Sequence, residues 1–333
     1  MEGNKQFFTD MQNDIMNSDI SESDKKKLLK NFLKLEEQKI NIMITGATGC
    51  GKSSTINALF NMDIAKVGNL DPETMEIVMY DLENLILWDT PGLGDGKRDI
   101  GFMKDIADKL NERNENGELL IDLVIVILDA STRDLGTSYK LINEVIIPNL
   151  GTEKENRILV ALNRSDTAKN GRHWNYEENK PDAELTKFLE EKVISIHDRI
   201  KEGTGIDIVP IYYCAGYKEE GEEQRPYNLS KLFYYIIKSI PKEKRLSFAG
   251  NINNDKGKWK DNDSSGNYSG GIVEEFVETV ADCAMDGADI GSDIGEILGK
   301  PGELLGKLTG SMIGTVVGTG KAVLNSIFSF FWW

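Results

Sequence analysis

Hydrophobic residues fall along this chain in short, nearly unbroken runs separated by longer amphipathic stretches. Six runs lie between residues 39 and 245: KINIMITG, MEIVMYDL, NLILWDTPG, DLVIVILDAS, NRILVALNRSD and IDIVPIYYCAG. Five are almost continuously apolar, as strands buried on both faces of a parallel sheet should be. MEIVMYDL alternates instead, and only the turn Glu83-Asn84 lies between it and LILWDT. That pattern predicts an antiparallel edge strand joined by a tight turn. Helical periodicity marks residues 184–201 and 229–240 between and after the runs. Strand-helix alternation predicts an α/β domain over 39–245, with a mostly parallel six-stranded sheet and helices on both faces.

The flanks differ. Residues 1–38 are polar and helical in pattern, with Ser21 and Asp24 in capping-box order and Leu28, Phe32 and Leu35 on one face, beside Leu29 and Leu33. A helix packed on the following domain is expected, or else a dimerisation or partner helix. Residues 246–272 are rich in Gly, Asn, Ser and Asp and read as a flexible linker. In the tail, residues 273–333, glycine recurs at 287, 291, 295 and 299 and, past Pro301, at 302, 306, 310, 314 and 318. Glycine costs about 1 kcal/mol against alanine inside a helix, so the stripe predicts helices in close backbone contact, like a glycine zipper. Residues 273–300 carry eight acids and one base, whereas 304–333 hold no acid and end in FSFFWW. Association of 304–333 with a membrane interface and lipid-free packing or self-assembly are both open readings; a transmembrane span is not expected.

Composition narrows the function. With 55 acidic and 39 basic residues the net charge is −16, which disfavours nucleic acid as a partner, except within a ribosome. Three scattered cysteines, two histidines and a polar start without an apolar leader suggest a reduced, cytoplasmic chain without a zinc site.

The chemistry lies at the carboxyl ends of the runs. Gly46-Ala47-Thr48-Gly49-Cys50-Gly51-Lys52-Ser53-Ser54 follows KINIMIT and opens a helix. A loop of that spacing turns successive backbone N–H groups toward phosphate oxygens, with the helix dipole behind them. Lys52 should reach the β- and γ-phosphates, and Ser53 should hold Mg²⁺. Asp89-Thr90-Pro91-Gly92 ends NLILW; Asp89 suits Mg²⁺ through water, and the Gly92 N–H suits a γ-phosphate. Asn163-Arg164-Ser165-Asp166 ends RILVAL. A carboxylate at 166 accepts from both N1 and N2 of guanine, whereas adenine would leave it unpaired. Asn163 would brace the loop and the base.

Together these motifs resemble the translation-factor-related P-loop GTPases of the Era-like branch, and in particular the bacterial YfjP-like group, often described as binding the large ribosomal subunit. DTPGLGDG (89–96) and the N-R-S-D…G-R-x-W pattern of 163–174 carry the likeness, which covers residues 39–245. It implies a Ras-like G domain, GTP as substrate and Mg²⁺ as cofactor. It also places Cys214 and Ala215 where the family's guanine-O6 loop lies, and Thr74 as the switch threonine on Mg²⁺ and the γ-phosphate. Three positions depart from the pattern: Arg164 replaces a lysine, Leu93 stands where Ras-type proteins carry the water-orienting glutamine, and Gly49 where some relatives hold K⁺ with asparagine. The resemblance therefore implies a GTPase with slow intrinsic turnover, accelerated by a homodimer or activating partner, with Lys97 and Arg98 as candidate charge donors. Its nucleotide state would gate the tail. A ribosome-associated assembly GTPase and a GTP-binding scaffold with little turnover are the alternatives.

Overall fold

In a computed structural model of the chain, residues 22–60, 62, 76–94, 96–219, 222–248, 251–253 and 255–285 are described, together with 9, 12, 13, 16 and 17. The switch position Thr74 and the glycine-rich tail beyond residue 285 lie outside them.

Helix α1 (Glu22–Glu36) precedes β1 (Ile40–Gly46) and α2 (Lys52–Leu59). The hairpin β2 (Val78–Leu82) and β3 (Leu85–Asp89) follows, then α3 (Asp99–Asn111) and β4 (Leu123–Asp129). Helix α4 begins at Gly136–Lys140, widens into a π-helical stretch at Leu141–Ile146 and ends at Ile147–Asn149. After β5 (Ile158–Asn163) come the two-residue strands β6 (Trp174–Asn175) and β7 (Lys180–Pro181), and α5 (Ala183–Thr204). The domain continues with β8 (Ile211–Tyr212), the hairpin β9 (Tyr217–Glu219) and β10 (Glu222–Gln224), α6 (Leu229–Ser239) and α7 (Tyr268–Met285).

The main sheet has the order β2-β3-β1-β4-β5-β8. All its pairs are parallel except β2 with β3, where Val78 faces Asp89 and Leu82 faces Leu85. The turn of this hairpin is made by Glu83 at φ 67°. Strand β8 is shorter than its apolar run suggests. Pro210 has no N–H to give the ladder, and pairing with β5 is confined to Ile211 and Tyr212.

The near-continuous apolar strands are explained by cover on both sides. Ile40, Ile42, Ile44, Leu85, Leu123, Ile125 and Ile127 face one core with α1, α2, α6 and α7. Met43, Val124, Val126 and Leu128 face the other with α3, α4 and α5. Helix α1 buries Leu28, Phe32 and Leu35 in the first core, while Leu33 stays exposed at 49%. At about 25 cal/mol per Å² of apolar surface, that stripe holds α1 on the domain.

The flexible linker expected over 246–272 is not what the described residues of that stretch form. Leu246, Phe248, Ile252 and Trp259 are buried in the first core. Phe248 stacks on Phe60 and meets Phe233 edge-on, and Trp259 also packs on Phe233. The polar residues between them are spent as hydrogen-bond partners, Asn251 to Leu82 O and Ser247 to Gln38 O among them. Helix α7 then begins five residues before the expected tail, with Ile272 and Phe276 fully buried. Arg245 pairs with Glu275 beneath it.

Candidate nucleotide-binding site

Strand β1 ends at Gly46, and the chain turns through Ala47, Thr48, Gly49 and Cys50 before α2 begins at Lys52. Gly51 caps that helix at φ 93°. A Cβ there would lie 2.1 Å from Asn163 Nδ2, so both backbone and space demand glycine. Thr48, Gly49, Ser53 and Ser54 are exposed, and Cys50 is buried. Lys52 folds back over the loop, donating to Gly46 O at 3.5 Å and Ala47 O at 3.4 Å. The first amides of α2 have no partner inside the helix. With the lysine they make a positively polarised cradle suited to phosphate.

The end of β3 closes one wall. Thr48 N–H donates to Leu93 O at 2.8 Å and Leu93 N–H to Gly46 O at 3.2 Å, stitching the two loops together. Gly92 must be small here, because a Cβ would sit 2.6 Å from Thr48 Cα. Thr90 donates to Thr45 Oγ1 at 2.9 Å. Asp89 is 2% exposed, and its Oδ1 has no hydrogen-bond partner. Burial raises its pKa to about 6, with the Lys52 charge and the Thr90 N–H opposing. A buried, half-satisfied carboxylate facing the cradle, with the exposed Ser53 hydroxyl at the start of α2, fits a divalent cation of the Mg²⁺ type. Leu93 turns its side chain into the second core, 1% exposed, so this position presents no polar atom to the site. Lys97 and Arg98 are exposed just before α3.

The base end is built from β5 and the loop after β8. Asn163 donates through Nδ2 to Cys50 O at 2.9 Å and accepts at Oδ1 from Ala215 N–H at 3.0 Å. One buried side chain thus ties the phosphate loop to the 214–216 loop. Arg164 sits in the left-handed region at φ 62°, and its guanidinium pairs with Asp129 Oδ2 at 3.1 Å. Asp166 is buried, 4% exposed, next to Cys214. Burial first, then the Asp166 carboxylate that accepts from it, pushes the Cys214 thiol well above its ordinary pKa. Burial likewise raises the pKa of Cys50. Both thiols are therefore inert packing groups at neutral pH.

Two contributors carry no local motif. Asp129 holds Arg164, and its only sequence signal is its place at the carboxyl end of β4, the sheet edge where ligands bind. Tyr213 OH meets Thr55 Oγ1 at 2.6 Å, bracing α2 against the strand before the base loop. Among the described residues no metal-ligating cluster of His, Cys, Asp and Glu is present. No helix among them is long and apolar enough to cross a membrane.

Residues 41–164 match the family model described as 50S ribosome-binding GTPase. The protein is similar to uncharacterized protein YkfA of Escherichia coli strain K12, 30% identical over 43% of this chain and 47% of that one. It is also similar to YfjP of the same strain, 26% identical over the same shares. The tRNA modification GTPase MnmE of Alkaliphilus oremlandii is 33% identical over 40% of this chain and 27% of its own. The chain thus spans about half the length, or less, of the curated relatives it matches. Among solved structures, Toc33 from Arabidopsis thaliana overlaps with a TM-score of 0.43 at 18% identity, covering 70% of this chain and 96% of that one. The strand order, the phosphate loop and the sequence match converge on one assignment: the chain carries a Ras-like P-loop GTPase domain, similar over residues 41–164 to the family described as 50S ribosome-binding GTPase and to the YfjP-like group.

Proposed function

We propose that this protein binds GTP and GDP with Mg²⁺, hydrolyses GTP slowly, and acts as a nucleotide-dependent switch. The observation that carries this reading is Asn163, which holds the phosphate loop through Cys50 O and the base loop through Ala215 N–H at once. That clasp fixes the distance between a triphosphate cradle and a purine-reading carboxylate, Asp166. In it, Gly46, Thr48, Gly49, Cys50, Gly51, Lys52, Ser53 and Ser54 surround the phosphates, and Asn163, Arg164, Asp166, Cys214 and Ala215 surround guanine. Arg164 is engaged with Asp129, which leaves its aliphatic stem to flank the base.

Phosphoryl transfer needs positioning and charge neutralisation more than covalent help. Lys52 and the α2 amides hold the β- and γ-phosphates, and the Gly92 N–H is directed to the γ-phosphate. Ser53 and Asp89, with Thr74, would hold Mg²⁺, which when bound neutralises charge on the transferring group. Among the described residues, position 93 offers no group to orient water, since Leu93 is packed in the core. Turnover therefore waits on a second copy or an activating partner, with Lys97 or Arg98 adding charge.

Single-turnover hydrolysis tests this. The expected result is slow cleavage with Mg²⁺, independent of K⁺, that accelerates with protein concentration or an added partner. Fast, partner-free turnover would contradict the assignment of Leu93. No cleavage under any condition would leave a GTP-binding scaffold. The switch is proposed to act on the tail, through exposure, self-assembly or contact of 304–333 with a membrane. A ribosomal role is the second reading, favoured by the description of the matching family and opposed by the charge of −16.

A further inference from the structure

Helix α2 carries the phosphate loop at one end and, like any helix, leaves its last carbonyls without helical partners at the other. Residues 251–253 supply the donors. Asn253 N–H donates to Leu59 O at 2.9 Å. Its Nδ2 donates to Asn57 O at 3.0 Å, across 196 residues of sequence, and to Phe60 O at 3.5 Å. Ile252 pairs with Phe60 in an antiparallel bridge. Trp259 Nε1 then donates to Asn253 O at 2.8 Å, fixing the capping residue from behind.

The same segment runs on to the opposite end of the site. Asp261 accepts from Arg225 Nε at 2.8 Å through its carboxylate, and from Asn228 N–H at 2.8 Å through its backbone oxygen. Asp263 exchanges two bonds with the Asn228 side chain, accepting at 3.1 Å and donating its N–H at 2.7 Å. Asn228 follows Tyr227, whose backbone pairs both ways with Cys214 at 2.9 Å. Cys214 begins the loop whose Ala215 N–H is held by Asn163. Asp263 finally accepts from Tyr268 OH at 2.8 Å, and Tyr268 is the first residue of α7.

We propose that residues 251–253 and 255–263 form a strap that couples guanine-nucleotide occupancy to the docking of α7, and so to residues 286–333 that follow it. This rests on the reading of the site given above. Asn253, Asp261 and Asp263 are positioning residues: they act through α2 and the base loop. A nucleotide held between the phosphate loop and Asp166 fixes those two elements relative to each other, and the strap spans the same two elements from outside. Linkage makes the effect reciprocal: whatever the nucleotide gives to strap docking, strap docking gives to nucleotide affinity. Because the α2 cradle and the base loop hold GDP as well as GTP, the strap reports occupancy and not phosphate number.

Amide hydrogen exchange on the full chain, with and without GDP and Mg²⁺, tests the coupling directly. GDP should slow exchange across 251–263 and 268–285 by roughly tenfold, and Asn253→Ala and Asp263→Asn should weaken GDP and GTP alike by roughly five- to tenfold. Asp263→Asn should also remove the GDP protection of α7. Lys242→Ala, which deletes only the exposed α7 pairs with Glu278 and Asp282, should leave affinity unchanged. Wild-type protein that binds GDP with no change in exchange over 251–285 overturns the proposal, as does wild-type affinity in both strap variants. Should a strap variant not fold, the wild-type exchange comparison decides alone. Wild-type protein that does not bind GDP overturns the strap and the nucleotide reading together.

Discussion

Asp89 carries a charge that the protein alone does not fully satisfy. Its Oδ1 is buried without a partner, and burial raises its pKa to about 6. An unmet carboxylate of this kind destabilises the metal-free fold and is relieved by a bound cation. Asp89→Asn should therefore leave the nucleotide-free melting temperature equal or higher at pH 7, while Mg²⁺ ceases to improve nucleotide affinity; melting curves and Mg²⁺ titrations read the two effects separately. Gly51 sits at the opposite extreme, with no room at all. Gly51→Ala would push Asn163 off its two partners, and each buried group left unpaired costs about 1–3 kcal/mol, so calorimetry should show GDP affinity reduced at least tenfold. Asp263 shows how a carboxylate behaves when fully partnered. Burial alone would raise its pKa, but Lys231, Ser265 and Tyr268 outweigh burial and bring it down to about 2. A depressed carboxylate stabilises the fold above its ordinary pKa and loses that contribution as pH falls toward the folded value. Stability measured by urea unfolding should drop between about pH 4 and 2, and Asp263→Asn should flatten that drop.

Among the elements, the strap separates the structural account from the linker reading most cleanly. Trp259 is 3% exposed and lies against Phe233. Removing a buried tryptophan costs about 3–5 kcal/mol, so Trp259→Ala should lower the unfolding free energy by that order in chemical denaturation. In a flexible linker the same change would cost almost nothing. The sheet was legible in the sequence because burial on both faces prints itself as apolar runs, and the alternation of MEIVMYDL marked the antiparallel edge strand. The strap was not legible, because Phe248, Ile252 and Trp259, though spaced 4 and 7 apart, stand singly among glycines and asparagines that argue against a helix. Their polar neighbours look solvated, yet Asn251 and Asn253 serve distant carbonyls on β2 and α2. The phosphate loop was legible for the opposite reason: the residues that form it stand in eight consecutive positions, 46–53. The partners that set the site from afar, Asp129 on Arg164 and Tyr213 on Thr55, have no local signature.

For the whole molecule, two cores on either side of one sheet bring the carboxyl ends of β1, β3 and β5 and the loop after β8 to one end of that sheet. The chain carries a net charge of −16, whereas the site is locally positive at Lys52 and the α2 amides. A form that lacks residues 286–333 keeps the whole of α7. Liposome flotation of the two forms would show whether the tail meets lipid. The proposed choice of guanine rests on one buried carboxylate, Asp166. The direct test is calorimetric titration of wild type and Asp166→Asn with GDP, ADP and the xanthine diphosphate, in Mg²⁺. Wild type should favour GDP strongly over both others. Asp166→Asn should turn the preference to the xanthine nucleotide, because its amide N–H can meet the C2 carbonyl that a carboxylate would repel. Equal affinity of wild type for ADP and GDP, or an unchanged preference in the variant, would contradict it.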